Sequence, residues 1–124
     1  MTASLSTGAV LCAASVAGGV GASLRLIVDG LVRSIAGSQL PWGTLFINVA
    51  GSLALGALVG SQPSALVAAV GGTGLLGGFT TFSTASFETA VLVLERRPIA
   101  GFAYAAGTLL AAVGAAALGF ALTN

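Results

Sequence analysis

Gly71-Gly72-Thr73-Gly74-Leu75-Leu76-Gly77-Gly78-Phe79-Thr80-Thr81-Phe82-Ser83-Thr84-Ala85-Ser86-Phe87-Glu88 carries five glycines, six hydroxyl side chains and one carboxylate in a chain that is otherwise apolar. Glycine and threonine both weaken a helix, so the run predicts an interruption of the helical ladder. Inside a bilayer, non-helical backbone persists only where protein buries it or water lines it. Transport proteins use such interruptions to aim backbone dipoles and carbonyls at ions. A plain membrane anchor has no use for the run. It marks the functional centre of a small all-α membrane protein.

Outward from this run, composition identifies the solvent. The chain has 124 residues, 56% of them hydrophobic and 6% charged. Soluble domains carry ~25% charged residues, so no soluble fold of this size could hydrate such a surface. Glycine is 19 of 124, which suits helices that pack backbone to backbone in lipid. The net charge of +1 comes without any lysine, which argues against a nucleic-acid partner. The single Cys12 excludes an intrachain disulfide and a cysteine metal cluster.

The apolar stretches predict four spans in one domain, 1–124, at about 8–32, 41–60, 65–94 and 99–122. In the first, Gly18, Gly19 and Gly21 thin the middle, and Arg25 and Asp29 stand four apart, close enough to pair. A polar loop follows from Ser34 to Gln39. Pro41 opens the second span, where a first-turn proline is accepted. Trp42 fits a membrane interface, Asn48 is the only amide within a predicted span, and Gly56 and Gly60 form a small-residue packing pair. The third span is too long for one straight crossing unless tilted or broken. In the fourth, Tyr104 and Thr108 share a face, and so do Gly107 and Gly114. The loop arginines, Arg33, Arg96 and Arg97, all fall on the side away from the termini, which places both loops in the cytoplasm. Four thin helices do not enclose a wide path alone, so an oligomer is expected.

The polar residues suit a small, unreactive anion. Asn48 offers amide donors, and Thr80, Thr81, Ser83, Thr84 and Ser86 offer hydroxyls. Helical spacing puts Thr81, Thr84 and Glu88 on one stripe. A single such threonine would ordinarily bond back to its own helix; five hydroxyls in seven positions after a glycine run ask for more. The edge of the Phe82 ring is the positive part of its quadrupole and can touch an anion. Phe79 and Phe87 read more simply as lipid or core packing. No acid stands mid-span, whereas a proton-coupled cation exporter needs one.

Gly77-Gly78-Phe79-Thr80-Thr81-Phe82-Ser83-Thr84, closing at Glu88, resembles the signature of the Fluc (CrcB) fluoride channels. Gly43-Thr44-Leu45 with Asn48 and Gly51 is similar to that family's second-helix motif, and Gly21-Ala22-Ser23-Leu24-Arg25 to its first. The resemblance implies four helices with a broken third, in an antiparallel dual-topology dimer with two fluoride pores along the interface. It implies Asn48 as the pore asparagine and Phe82 as the first of two fluoride-contacting phenylalanines. It implies Ser83 and Thr84 on a hydroxyl track, Glu88 on the pore path and Arg25 near a vestibule. Tyr104 is the candidate for the fourth-helix pore tyrosine, with no motif to fix its register. The carbonyls of Gly77 and Thr80 match positions that hold a structural sodium ion at the dimer centre. One departure stands out: Ala85 occupies the place of the second phenylalanine, and Phe87 lies two positions away.

The resulting expectation is a passive fluoride channel subunit, not an enzyme, in the cell's inner (plasma) membrane. Its partners are the lipid bilayer and a second subunit, as a homodimer or a heterodimer with another family member. Two other readings compete with it. A small multidrug-resistance-type exporter would need an acid deep in the first span, and Asp29 is too near its end. A non-transporting assembly subunit would use its small-residue faces to bind other chains.

Overall fold

The computed structural model describes residues 5–124, and every regular element among them is helical. Four helical stretches are long and apolar enough to cross a membrane: Thr7–Ala36, Trp42–Gly60, Ala65–Leu94 and Pro98–Thr123. Helix α1 (Thr7–Ala36) starts where the Ser6 hydroxyl accepts the Ala9 N–H. It runs past residue 32, through part of the expected loop. Ser34 turns its hydroxyl back to the Leu31 carbonyl rather than to water, and the helix stops only at Gly37. There φ is +80°, a conformation glycine adopts at no steric cost, and the Gly37 N–H closes on the Arg33 carbonyl. Helix α2 (Trp42–Gly60) begins one residue after Pro41, which caps it instead of entering its first turn.

The third span is built in pieces. Ser64 caps α3 (Ala65–Val67), a π-helical stretch follows over Ala68–Leu76, then α4 (Gly77–Phe79) and, after Thr80 and Thr81, α5 (Phe82–Leu94). Thr80 and Thr81 are the only non-helical residues in 65–94. The glycines stay helical despite their weak propensity. That propensity is measured against water, and in lipid no solvent competes for the freed backbone groups. Helix α6 (Pro98–Thr123) carries its proline in the first turn, where the missing N–H costs nothing.

Glycine sets the packing. On α2, Gly56 and Gly60 lie against the backbone of α6 at Ala116 and Phe120, and Gly119 of α6 lies against the Leu53 carbonyl. Helix α1 crosses the third span in the same way. Gly21 faces the Leu75 carbonyl, Gly78 faces Gly18, and Gly74 faces Ala14. At each place a methyl group would meet backbone, which cannot yield as a side chain can. The Gly56–Gly60 face is therefore occupied within the chain, and an assembly subunit would lack it as a docking surface. Gly107 and Gly114 look outward, with nothing near the place of a Cβ. Among the described residues only Ile47 and Leu92 are large apolar side chains in the interior; most others, such as Leu26, Ile35 and Leu122, project outward. That is the pattern of a chain whose solvent is lipid.

One expected pair is replaced. Asp29 bonds Arg33, at 2.9 Å, and not Arg25. An acid one turn before a base is the better order on a helix, and Arg33 also sits in the last turn, where the helix end favours a cation. The Nε of Arg25 is buried without a hydrogen-bond partner.

Candidate functional site: a groove beside the Thr80–Thr81 interruption

Thr80 (φ −78°, ψ 159°) and Thr81 (φ −150°, ψ 117°) are extended between two helical pieces. Extended residues inside a membrane protein need other partners for their backbone groups. Asn48, buried on α2, supplies them. Its Nδ2 donates to the Thr81 carbonyl at 2.9 Å, and its Oδ1 accepts the Thr81 N–H at 2.8 Å. One side-chain amide thus copies a two-bond backbone pairing and holds the two spans in register. The Thr81 hydroxyl meanwhile accepts the Thr84 N–H at 3.1 Å and donates to Thr84 Oγ1 at 3.0 Å, capping α5.

These bonds divert two helical donors. In a continuous helix the Thr81 N–H would go to the Gly77 carbonyl, and the Thr84 N–H to the Thr80 carbonyl. Both are engaged elsewhere, by Asn48 Oδ1 and by Thr81 Oγ1. The carbonyls of Gly77 and Thr80 thereby lose their i+4 partners. Neutral oxygens of this kind suit a hard monovalent cation, so the residues fit the sodium site that the sequence motif implies.

Beside the interruption lies a lateral groove of about 540 Å³ between α2, α5 and α6. Asn48, Ser52, Thr80, Thr81 and Thr108 give it hydroxyl and amide groups, and Phe82 and Ala85 stand on the α5 wall. Thr108 is 7% exposed and its Oγ1 has no hydrogen-bond partner. Phe82, at 86% exposed, projects from the surface. A second cavity, about 390 Å³, opens toward the loops and is lined by Asp29, Arg33, Trp42, Thr84, Phe87 and Glu88 among others. At its inner end Glu88 receives two hydroxyl donors: Thr44 to Oε1 at 3.1 Å and Tyr104 to Oε2 at 3.0 Å. Three helices are tied together at one carboxylate.

The sequence candidates are distributed accordingly. Asn48, Thr80 and Phe82 meet in the lateral groove, whereas Thr84 and Glu88 meet in the loop-side cavity. Tyr104 joins them through Glu88. Ser83 is exposed, 3.4 Å from Thr81 Oγ1, and lines neither space; nor do Arg25 and Gly77. Thr81, at the N-cap of α5, reaches Thr84 through its hydroxyl, and Thr84 and Glu88, four apart on α5, both line the loop-side cavity. Sequence reasoning passed over Thr44, Ser52 and Thr108 as site residues. Their signal was present: Thr44, Asn48 and Ser52 repeat every four residues along one face of α2, and Thr108 stands four beyond Tyr104.

A family model described as CrcB-like protein, Camphor Resistance (CrcB), matches residues 12–120. The chain belongs to the CrcB-like family. Among its relatives, the fluoride-specific ion channel FluC 1 of Leifsonia xyli is 43% identical over 116 residues, covering 89% of this chain and 83% of its own. FluC of Novosphingobium aromaticivorans is 44% identical over 116 residues, covering 87% and 90%. FluC 2 of Nocardia farcinica, an organism that also has a FluC 1 relative, is 39% identical and covers 90% and 82%. This CrcB-like chain is thus a multi-pass membrane protein of a family of fluoride channels, which are not enzymes.

Proposed function

We propose that this chain is one subunit of a fluoride-selective channel that lets cytoplasmic fluoride leave passively across the inner membrane. The observation that carries the reading is the lateral groove: amide, hydroxyl and ring-edge groups beside a two-residue break, in a chain without lysine or histidine. Fluoride is small and strongly hydrated, so removing its water is costly unless neutral donors replace it. Asn48 retains one N–H beyond the bond to Thr81; it and the Phe82 edge would supply that replacement in the groove, with Ser83, Thr84, Glu88 and Tyr104 on the path toward the loops and Arg25 near its vestibule. The relatives' name, fluoride-specific ion channel, supports the choice of anion. No bond is made or broken, so the protein is not an enzyme.

The groove is open along its outer side, which supports an antiparallel pair of four-helix subunits with the passage between them. The Gly77 and Thr80 carbonyls of both subunits would hold a sodium ion at the centre of that pair. When bound, the ion would supply fixed positive charge to oxygens that the interruption leaves without helical donors. Nocardia farcinica carries two such relatives, so one cell can contain two chains of this kind. A small multidrug exporter finds less support, since Asp29 is near the loop end and tied to Arg33.

The test is fluoride efflux from liposomes containing the purified protein, read with a fluoride electrode. The reading expects rapid release of fluoride and retention of chloride. Equal release of both ions, or none from any subunit pairing, would defeat it.

A further inference from the structure

We infer that Arg33, held in place by Asp29, is the residue that admits the anion to the loop-side cavity of the channel proposed above, a reading on which this inference rests.

The starting observation is a mismatch of charge. The chain has three acidic side chains, and all three, Asp29, Glu88 and Glu95, line this one cavity. Of its four arginines only Arg33 lines it. Arg97 gives its Nη1 to the Gln39 carbonyl at 2.7 Å, and neither Arg25 nor Arg96 belongs to the lining. Ionised, the lining carries two more negative charges than positive ones. A cleft lined by one sign of charge focuses its field and repels ions of that sign. Passage of an anion through such a space needs a cation at the mouth, and Arg33 is the cation the lining holds.

The geometry fits Arg33 for that task. Its Nη2 lies 2.9 Å from Asp29 Oδ2, across one turn of α1. The other oxygen of Asp29 lies against Gly43 in the first turn of α2, where a Cβ would collide with it. The carboxylate is thus wedged between α1 and the start of α2, a helix end that favours negative charge. The Asp29 side chain is 28% exposed and that of Arg33 59%, so the pair turns its cation to water and covers its anion. Among the described residues no other side-chain hydrogen bond engages the guanidinium, which leaves it donors for a passing anion. Glu88, at the inner end, has both oxygens covered by the hydroxyls of Thr44 and Tyr104, whereas Glu95 is exposed just past the end of α5. An anion from the loop side would therefore meet Arg33 and Glu95 before Glu88.

The test compares two variants that break the same ion pair. Arg33→Gln removes the cation and Asp29→Asn removes a carboxylate, and a pair this exposed holds little of the fold together. Fluoride efflux is read from liposomes holding the conducting assembly, in about 0.1 M and about 1 M salt, where charges act over about 10 Å and about 3 Å. A unit charge about 6 Å from the path, across water, changes the local anion concentration about three-fold. At the lower salt Arg33→Gln should slow efflux about three-fold, and Asp29→Asn and Glu95→Gln should each speed it by a similar factor. All three should approach the parent at the higher salt. If Arg33→Gln and Asp29→Asn slow efflux alike, or if the differences persist at high salt, the pair serves the fold; the inference is then overturned and the channel reading stands. If Arg33→Gln does not fold, Asp29→Asn and Glu95→Gln decide, and failure of both to speed efflux overturns the inference. Efflux missing from every subunit pairing would instead bring down the channel reading, and this inference with it.

Discussion

Replacing Asn48 with alanine should cost stability as well as flux. The side chain makes two buried bonds to one residue, 2.8 Å to the Thr81 N–H and 2.9 Å to its carbonyl. Leaving a buried polar group unsatisfied costs about 1–3 kcal/mol, so two groups set a range of about 2–6 kcal/mol. The upper part of that range is relieved by the helix itself. The Thr81 N–H has the Gly77 carbonyl one turn back, and closing that bond would straighten the interruption. About 3 kcal/mol is the expected loss, roughly half the stability of a marginal domain. The assay is reversible unfolding in mixed micelles with rising SDS at fixed protein concentration, alongside hydrogen exchange at Thr81. The variant should unfold earlier, and exchange at Thr81 should change. A loss below about 0.5 kcal/mol with unchanged exchange would refute the reasoning, since a surface-like effect of that size cannot come from two broken buried bonds. Asn48→Asp separates the roles further. It keeps the acceptor for the Thr81 N–H, sets an oxygen against the Thr81 carbonyl, and places a negative charge beside the path of an anion. Flux should fall in both variants.

Thr44→Val and Tyr104→Phe each remove one donor from Glu88, and each should cost about 1.5–3 kcal/mol, the range for bonds to a charged group; a double-mutant cycle with Glu88→Gln should reveal coupling, and simple additivity would count against a shared carboxylate. Gly21→Ala and Gly78→Ala should prevent α1 from seating on the third span, while Gly30→Ala, with nothing near its Cβ position, should leave the yield of folded protein unchanged. Replacing sodium with a large organic cation should slow fluoride efflux and lower the SDS midpoint; identical behaviour in both salts would remove the ion from the Gly77 and Thr80 carbonyls. Thr108→Val keeps the shape and removes the orphaned hydroxyl, so it should fold as well as the parent yet pass fluoride more slowly.

The spans were legible because apolar runs and their punctuation are local signals. Their ends were less so: α1 runs past the expected 32 to Ala36, and α6 opens at Pro98, ahead of the expected 99. The site was legible only in part. Asn48 stood out as a lone amide in an apolar helix, yet nothing near it in sequence names Thr81, 33 residues away, as its partner. Propensity marked the whole run from Gly71 to Glu88, its glycines and threonines alike, and the extended residues are two of those threonines, Thr80 and Thr81. The π-helical winding of Ala68–Leu76 was not among the expectations from sequence. Arg25 and Arg33 were equally spaced from Asp29, and only the order of charges along the helix separates them. The polar repeat of α2 was readable and went unread because threonine and serine usually satisfy themselves.

That Ile47 and Leu92 are the only large apolar side chains in the interior among the described residues has a thermal consequence. Soluble domains owe the curvature of their stability with temperature to apolar surface that meets water on unfolding, about 12–15 cal/mol/K per residue. Here the helices separate from one another into lipid, and what parts is glycine from backbone. The heat-capacity change of helix separation should be close to nil. The association should then weaken almost linearly on heating and show no loss on cooling, so the assembled state would be as secure in a chilled membrane as in a warm one.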